Sequence, residues 1–146
     1  MAGSAEGNGP RASSTTAARA VELLVCQTCA SRDRETHGHS GGERLQAHLE
    51  RLLREASHPG IVVRGLRCLW ACQRSCNVQV RSADAPGYVL TELEPSEASA
   101  RALLDWALLY SRSAEGAVPF REWPQGVRGH FLCRVPPPSP ALEETP

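Results

Sequence analysis

The sequence predicts an α/β domain: four strands in one mixed sheet with two main helices, ordered strand, helix, strand, hairpin, helix. Three observations carry that expectation. Two short apolar runs flank an amphipathic stretch, the pattern of a right-handed βαβ unit with parallel strands. Two further β-type segments are separated by Ala85-Pro86-Gly87, turn chemistry that suits a hairpin. Five of the six cysteines follow the two apolar runs directly, as Cys26-Gln-Thr-Cys29 and Cys68-Leu-Trp-Ala-Cys72-Gln-Arg-Ser-Cys76.

Taken in order, Val21-Glu22-Leu23-Leu24-Val25 is an apolar strand ending at Cys26. Ala30 to Gly42 is a polar loop containing His37 and His39. Glu43 to His58 is an amphipathic helix, with Leu45, Leu49, Leu52, Leu53 and Ala56 on one face, stopped by His58-Pro59-Gly60. Ile61 to Arg67 is the second strand. Asn77 to Arg81 alternates at period two, and Tyr88 to Leu93 does so less strictly. Pro95 opens a helix running to about Ser113, with Leu103, Leu104, Ala107 and Leu108 on its buried side. Residues 1–19, rich in Ala, Ser, Gly and Thr, read as a disordered leader, and residues 136–146 as a disordered Pro-rich tail. The domain between them spans residues 20–135, with Phe131-Leu132-Cys133 as a last short apolar run.

Composition narrows the function. The formal net charge is zero, so no global field points to nucleic acid or an anionic membrane. All sixteen basic residues are arginine, which rules out a P-loop lysine or a Schiff-base lysine. No apolar run approaches the roughly 20 residues needed to cross a bilayer, and the first residues lack the apolar stretch of a signal peptide. A cytoplasmic location is expected. There, clustered cysteines point to metal binding or catalysis rather than structural disulfides.

The cysteine spacing then gives the site. If the first two strands are parallel neighbours, their carboxyl ends lie about 4.8 Å apart at one edge of the sheet. Cys26 and Cys68 occupy those ends, and Cys29 and Cys72 sit in the loops that follow. Four gathered thiolates hold a tetrahedral zinc or an iron–sulfur cluster, and spacing alone suits either. Cys76 is a fifth thiol, either an alternative ligand or a neighbour. Cys133, alone in an apolar run, reads as a small core residue. His37 and His39 lack Rieske spacing and read as solvated. Trp70 either screens the site from water or packs as an ordinary aromatic. Arg67 and Arg74 flank the site, where they suit an anionic cluster or a partner's acidic patch.

The element order with a cysteine pair after each of the first two strands resembles the thioredoxin-fold 2Fe–2S ferredoxins. Cys68-Leu69-x-x-Cys72 matches their second ligand pair, two cysteines separated by three residues, whereas their first pair is usually spaced more widely than Cys26-x-x-Cys29. The chain is also similar to a bacterial family of small predicted metal-binding proteins of undefined role. It shares that family's Val25-Cys26-x-Thr28-Cys29 start, its Cys68-Leu69-x-x-Cys72-x-x-x-Cys76 segment, a Val118-Pro119 segment and an Arg134-Val135-Pro136-Pro137 ending. The resemblance spans about residues 21–137. It implies a thioredoxin-like βαβ-ββα fold and a 2Fe–2S cluster on Cys26, Cys29, Cys68 and Cys72, with zinc as the alternative cofactor.

The expected function is that of a small electron carrier with a protein redox partner and no substrate site of its own; a homodimer is left open. The alternatives are a zinc-stabilised interaction module and a thiol–disulfide oxidoreductase using Cys26-x-x-Cys29. Two features weigh against the oxidoreductase. Thirteen polar residues separate Cys29 from Glu43, leaving its sulfur without a helix N-terminus. Thioredoxins also place a cis-proline before the third strand, where this chain has Ser75-Cys76-Asn77.

Overall fold

The computed structural model describes residues 18–30 and 32–137. Most of the expected leader and tail, residues 1–17 and 138–146, lies outside them. The chain runs β1 (Val21–Cys26), α1 (Asp33–His37), α2 (Gly41–Glu55), β2 (Ile61–Leu66), β3 (Val78–Arg81), β4 (Gly87–Leu90), α3 (Glu97–Arg112) and β5 (Phe131–Val135). The sheet order is β2-β1-β3-β4-β5. β1 and β2 are parallel, as the strand–helix–strand pattern requires; the other three pairings are antiparallel.

The sheet therefore has five strands where four were expected. β5 escapes a reading by alternation because its ladder with β4 is irregular: Leu90 pairs with Phe131 and Val89 with Cys133, which leaves Leu132 as the extra residue of a bulge. Its middle residues are exposed, so no apolar face marks it. Cys133 accordingly lies exposed on an edge strand, not in the core.

Burial follows the period-two rule on the helix-facing side. Val21, Leu23 and Val25 of β1, Val78 and Val80 of β3, and Tyr88 and Leu90 of β4 are all buried. α2 supplies Leu45, Leu49 and Leu52; Leu53 is only partly buried, and Ala56 lies at the exposed C-cap. α3 supplies Leu103, Leu104, Trp106, Ala107 and Tyr110. Trp106 and Tyr110 stack at 5.4 Å, and Tyr88 meets both edge-on, which joins α3 to the sheet. Arg51 of α2 reaches Glu97 of α3 at 3.4 Å. The opposite face of β2, β1 and β3 carries an ionic row, with Glu22 held between Arg64 at 3.2 Å and Arg81 at 2.8 Å. The same face also carries Leu24, Val62 and Val89, so it is mixed in character.

Arg19, expected in the leader, belongs to the packed fold. Its backbone N–H donates to Ser111 O at 2.9 Å and its guanidinium donates to Ala114 O. Among the described residues, no helix is long and apolar enough to cross a membrane.

Candidate metal centre

The parallel register aligns Cys26 with Leu66, so both strands end at the same edge and Cys68 stands two residues beyond the end of β2. Backbone bonds keep the following loops together: the Gln27 N–H donates to Leu66 O at 2.9 Å and the Cys26 N–H to Asn77 O at 3.1 Å. Thr28, inside the first cysteine group, donates its hydroxyl to Arg67 O at 2.7 Å and so ties that group to the second.

The loop after Cys29 folds in a way its polar composition did not suggest. Residues Asp33–His37 form the short α1, which buries nothing and so carries no apolar signal. α2 then begins at Gly41 rather than Glu43. Its N-cap is Ser40, whose hydroxyl accepts the Glu43 N–H while the Glu43 side chain accepts the Ser40 N–H, a reciprocal capping box. This brings a helix N-terminus back against the Cys26–Cys29 turn. The Gly42 N–H donates to Cys29 O at 3.0 Å and the Gly41 N–H to Ala30 O at 3.2 Å. A helix start is therefore adjacent to Cys29, contrary to the argument from chain separation, but its first N–H groups are spent on carbonyls rather than on sulfur. Both glycines serve close approach. A Cβ on Gly42 would be driven inside contact distance of the Cys26 carbonyl, and one on Gly41 would fall 2.9 Å from the Cys76 sulfur. No proline precedes β3, yet the Ser75–Cys76 peptide is cis.

Five thiols gather at this edge. Cys68 Sγ and Cys72 Sγ are 3.7 Å apart on the solvent side. Cys26 ends β1 and Cys29 lies three residues on, at the same edge, with Cys26 in the electrostatic surroundings of both Cys29 and Cys68. Cys76 lies behind them, within the field of Cys26. Depth divides the group sharply: Cys26, Cys29 and Cys76 are at most 1% exposed, Cys68 is half-buried and Cys72 is exposed.

That division sets the acidity of each thiol. Burial, followed by the hydrogen bond with Cys26, pushes Cys29 up to about 12, and burial pushes Cys76 up to about 11 with help from Asp33. Cys68 is lowered instead, first by the Trp70 N–H aimed at its sulfur at 3.2 Å, then by Thr28 and Cys72. Cys72, beside that more acidic sulfur, is raised. Cys29, buried and holding its proton, is thus poorly suited to act as a free nucleophile, and a cation bound to it would draw that proton off.

Does this donor set fit a metal group? Its chemistry does. The Cys68 and Cys72 sulfurs lie 3.7 Å apart, and the Trp70 N–H points at Cys68 at 3.2 Å, as a thiolate of a cluster accepts it. The 3.7 Å separation of Cys68 and Cys72 also equals the edge of a tetrahedron with metal–sulfur bonds of about 2.3 Å. The side chains do not already converge, however: among the described residues, no three His, Cys, Asp or Glu side chains are arranged to hold an ion.

Other expectations shift. Trp70 neither shields the thiols nor packs; it is 92% exposed. His37 and His39 are exposed, His39 lying 3.4 Å from Glu43, so neither joins the sulfurs. Arg67 and Arg74 are exposed on the loop that carries Trp70, and Arg74 reaches Glu92 at 3.7 Å. Asn77, missed in the sequence, is the hub of the site. It is fully buried, its backbone carbonyl accepts the Cys26 N–H at 3.1 Å, and its side-chain amide donates to Ala71 O at 2.7 Å. A short amide between the last clustered cysteine and a strand is the signal that could have found it.

Comparison with known proteins gives one family. The model of a family described as protein of unknown function, DUF1636, matches residues 23–137, and the chain belongs to that family. No curated protein and no solved structure matches it.

Proposed function

We propose that this member of the DUF1636 family is a small 2Fe–2S electron-transfer protein of ferredoxin type, with Cys26, Cys29, Cys68 and Cys72 as cluster ligands. The supporting observation is the parallel register that ends β1 at Cys26 beside the end of β2, with the Cys68 and Cys72 sulfurs 3.7 Å apart in the loop that follows and Thr28 tied to Arg67 O at 2.7 Å. When bound, the cluster would supply a one-electron couple. The chain's own part is to hold and tune. The Trp70 N–H favours the charged form of Cys68, Asn77 and Thr28 fix the two loops against each other, and the buried side keeps water from Cys26 and Cys29.

An electron carrier needs a near-surface centre and a docking face rather than a substrate cavity. The thiols lie at the surface on the Cys68–Cys72 side, inside a rim of exposed Trp70, Arg67 and Arg74 that suits an acidic redox partner protein. A groove of about 560 Å³ lies at the other end of the strands, beside Val21, Gly60 and Gly87, and a polar depression of about 610 Å³ lies beside the cysteine loops, lined by Gln27, Thr28, Arg34, Glu43 and Arg67. The finer fold reading goes with this proposal: a thioredoxin-like core, β1-α2-β2-β3-β4-α3, extended by β5. A cytoplasmic setting is proposed on the same grounds, because these cysteines must stay reduced to serve as ligands.

The test is the number of electrons. The purified protein should show a one-electron wave and a paramagnetic reduced state, because one electron turns a paired Fe(III) centre into a mixed-valent one. Robust reduction of insulin by the metal-free protein, abolished by Cys26→Ser, would contradict the proposal and make Cys26-x-x-Cys29 an active site. The buried, proton-holding Cys29 predicts little such activity.

A further inference from the structure

We propose that Cys68 and Cys72 form a dithiol that exchanges with small anionic disulfides such as oxidised glutathione, and that its closure withholds two donors from any metal group. This stands on geometry alone and does not depend on which metal, if any, the thiols bind.

The two sulfurs are 3.7 Å apart without a bond between them. A disulfide bond is about 2.05 Å long, so closure needs an approach of under about 2 Å, within reach of side-chain rotation on a short loop. The segment is irregular from the end of β2 to the single 3-10 turn at Cys72–Arg74, so no helix or strand hydrogen bond has to break. Access separates this pair from every other pair in the cluster. Cys72 is exposed and Cys68 half-buried, whereas Cys26, Cys29 and Cys76 are at most 1% exposed. The motif that reads as a redox pair in the sequence, Cys26-x-x-Cys29, is the sealed one. The substrate class follows from the rim: Arg67 and Arg74 flank the pair, and Arg67 has no carboxylate partner among the described residues, which suits a disulfide bearing carboxylates.

The exchange balances. One thiol gives its proton to solvent and attacks a sulfur of glutathione disulfide; that S–S bond breaks, and one glutathione leaves and takes up a proton. The second cysteine, already at 3.7 Å, gives up its proton and attacks the mixed disulfide, releasing the second glutathione. Two protein thiols are oxidised to one disulfide, and one glutathione disulfide is reduced to two thiols. In the closed state neither Cys68 nor Cys72 is a thiolate donor.

The experiment uses the full chain, freed of metal by chelation and equilibrated with defined ratios of reduced and oxidised glutathione. It is then acid-quenched, alkylated and mapped by mass spectrometry. The expected product has lost two hydrogens, with one disulfide between Cys68 and Cys72, and Cys26, Cys29 and Cys76 remain alkylatable after denaturation. Cys26→Ser should leave that disulfide unchanged, whereas Cys72→Ser should accumulate a glutathione adduct on Cys68. A Cys26–Cys29 disulfide, scrambled pairing among the five thiols, or no oxidation across the titration would each overturn the proposal. Iron content is measured separately, so failure here is distinguishable from failure of the cluster reading.

Discussion

Replacing Cys68 with serine is expected to abolish the visible absorption of protein purified without oxygen, and Cys72→Ser to abolish it or make it labile within hours. Cys68 lies 3.7 Å from Cys72 and two residues beyond β2, whose last residue pairs with Cys26. It also accepts the Trp70 N–H at 3.2 Å. A serine hydroxyl is a harder donor that holds its proton at neutral pH, so both the bond and its tuning are lost. Cys133→Ser should leave the spectrum untouched, because Cys133 sits on β5 opposite Val89, outside the thiol group. Cys76→Ser is the discriminating companion. Cys76 is buried against Gly41 and within the field of Asp33, apart from the solvent-side Cys68–Cys72 pair, so the spectrum should persist. Full absorption in Cys68→Ser would show the ligand set to be wrong.

Gly42→Ala should lower stability by about 3 kcal/mol, the upper range for an added carbon in a packed site. For a domain of this size that is a fall of about 10 °C in Tm. The cause is specific. The new Cβ would run into the Cys26 carbonyl, which the backbone of β1 holds in place, so the helix start or the cysteine turn must move. Either movement breaks the Gly42 N–H to Cys29 O bond at 3.0 Å and displaces two proposed ligands together. Cluster retention should therefore fall along with Tm. Thermal unfolding followed at both far-ultraviolet and visible wavelengths reads the two effects. An unchanged Tm would mean that α2 does not start against this turn.

The elements with strong periodicity were legible in the sequence. Leu45, Leu49 and Leu52 mark α2, Leu103, Leu104 and Ala107 mark α3, and the apolar runs mark β1 and β2, whose parallel pairing follows from the helix between them. Because the cysteines follow those strands directly, their gathering at one edge was legible as well. What stayed hidden depends on tertiary contact. β5 carries a bulge at Leu132 and no continuous apolar face. α1 buries no residue. Gly41-Gly42 looks like loop punctuation, yet the lack of a side chain there is what lets α2 close on Cys26. Spacing gives no depth, so it could not show that Cys26 and Cys29 are sealed while Cys68 and Cys72 face solvent, nor that Trp70 projects into water.

The metal content of the full chain purified without oxygen tests the central proposal most directly. The expected protein is red-brown, with iron and acid-labile sulfide in near-equal amounts, about two of each per chain. Stoichiometric zinc without visible absorption would contradict the proposal, leaving a structural four-thiolate site in place of an electron carrier.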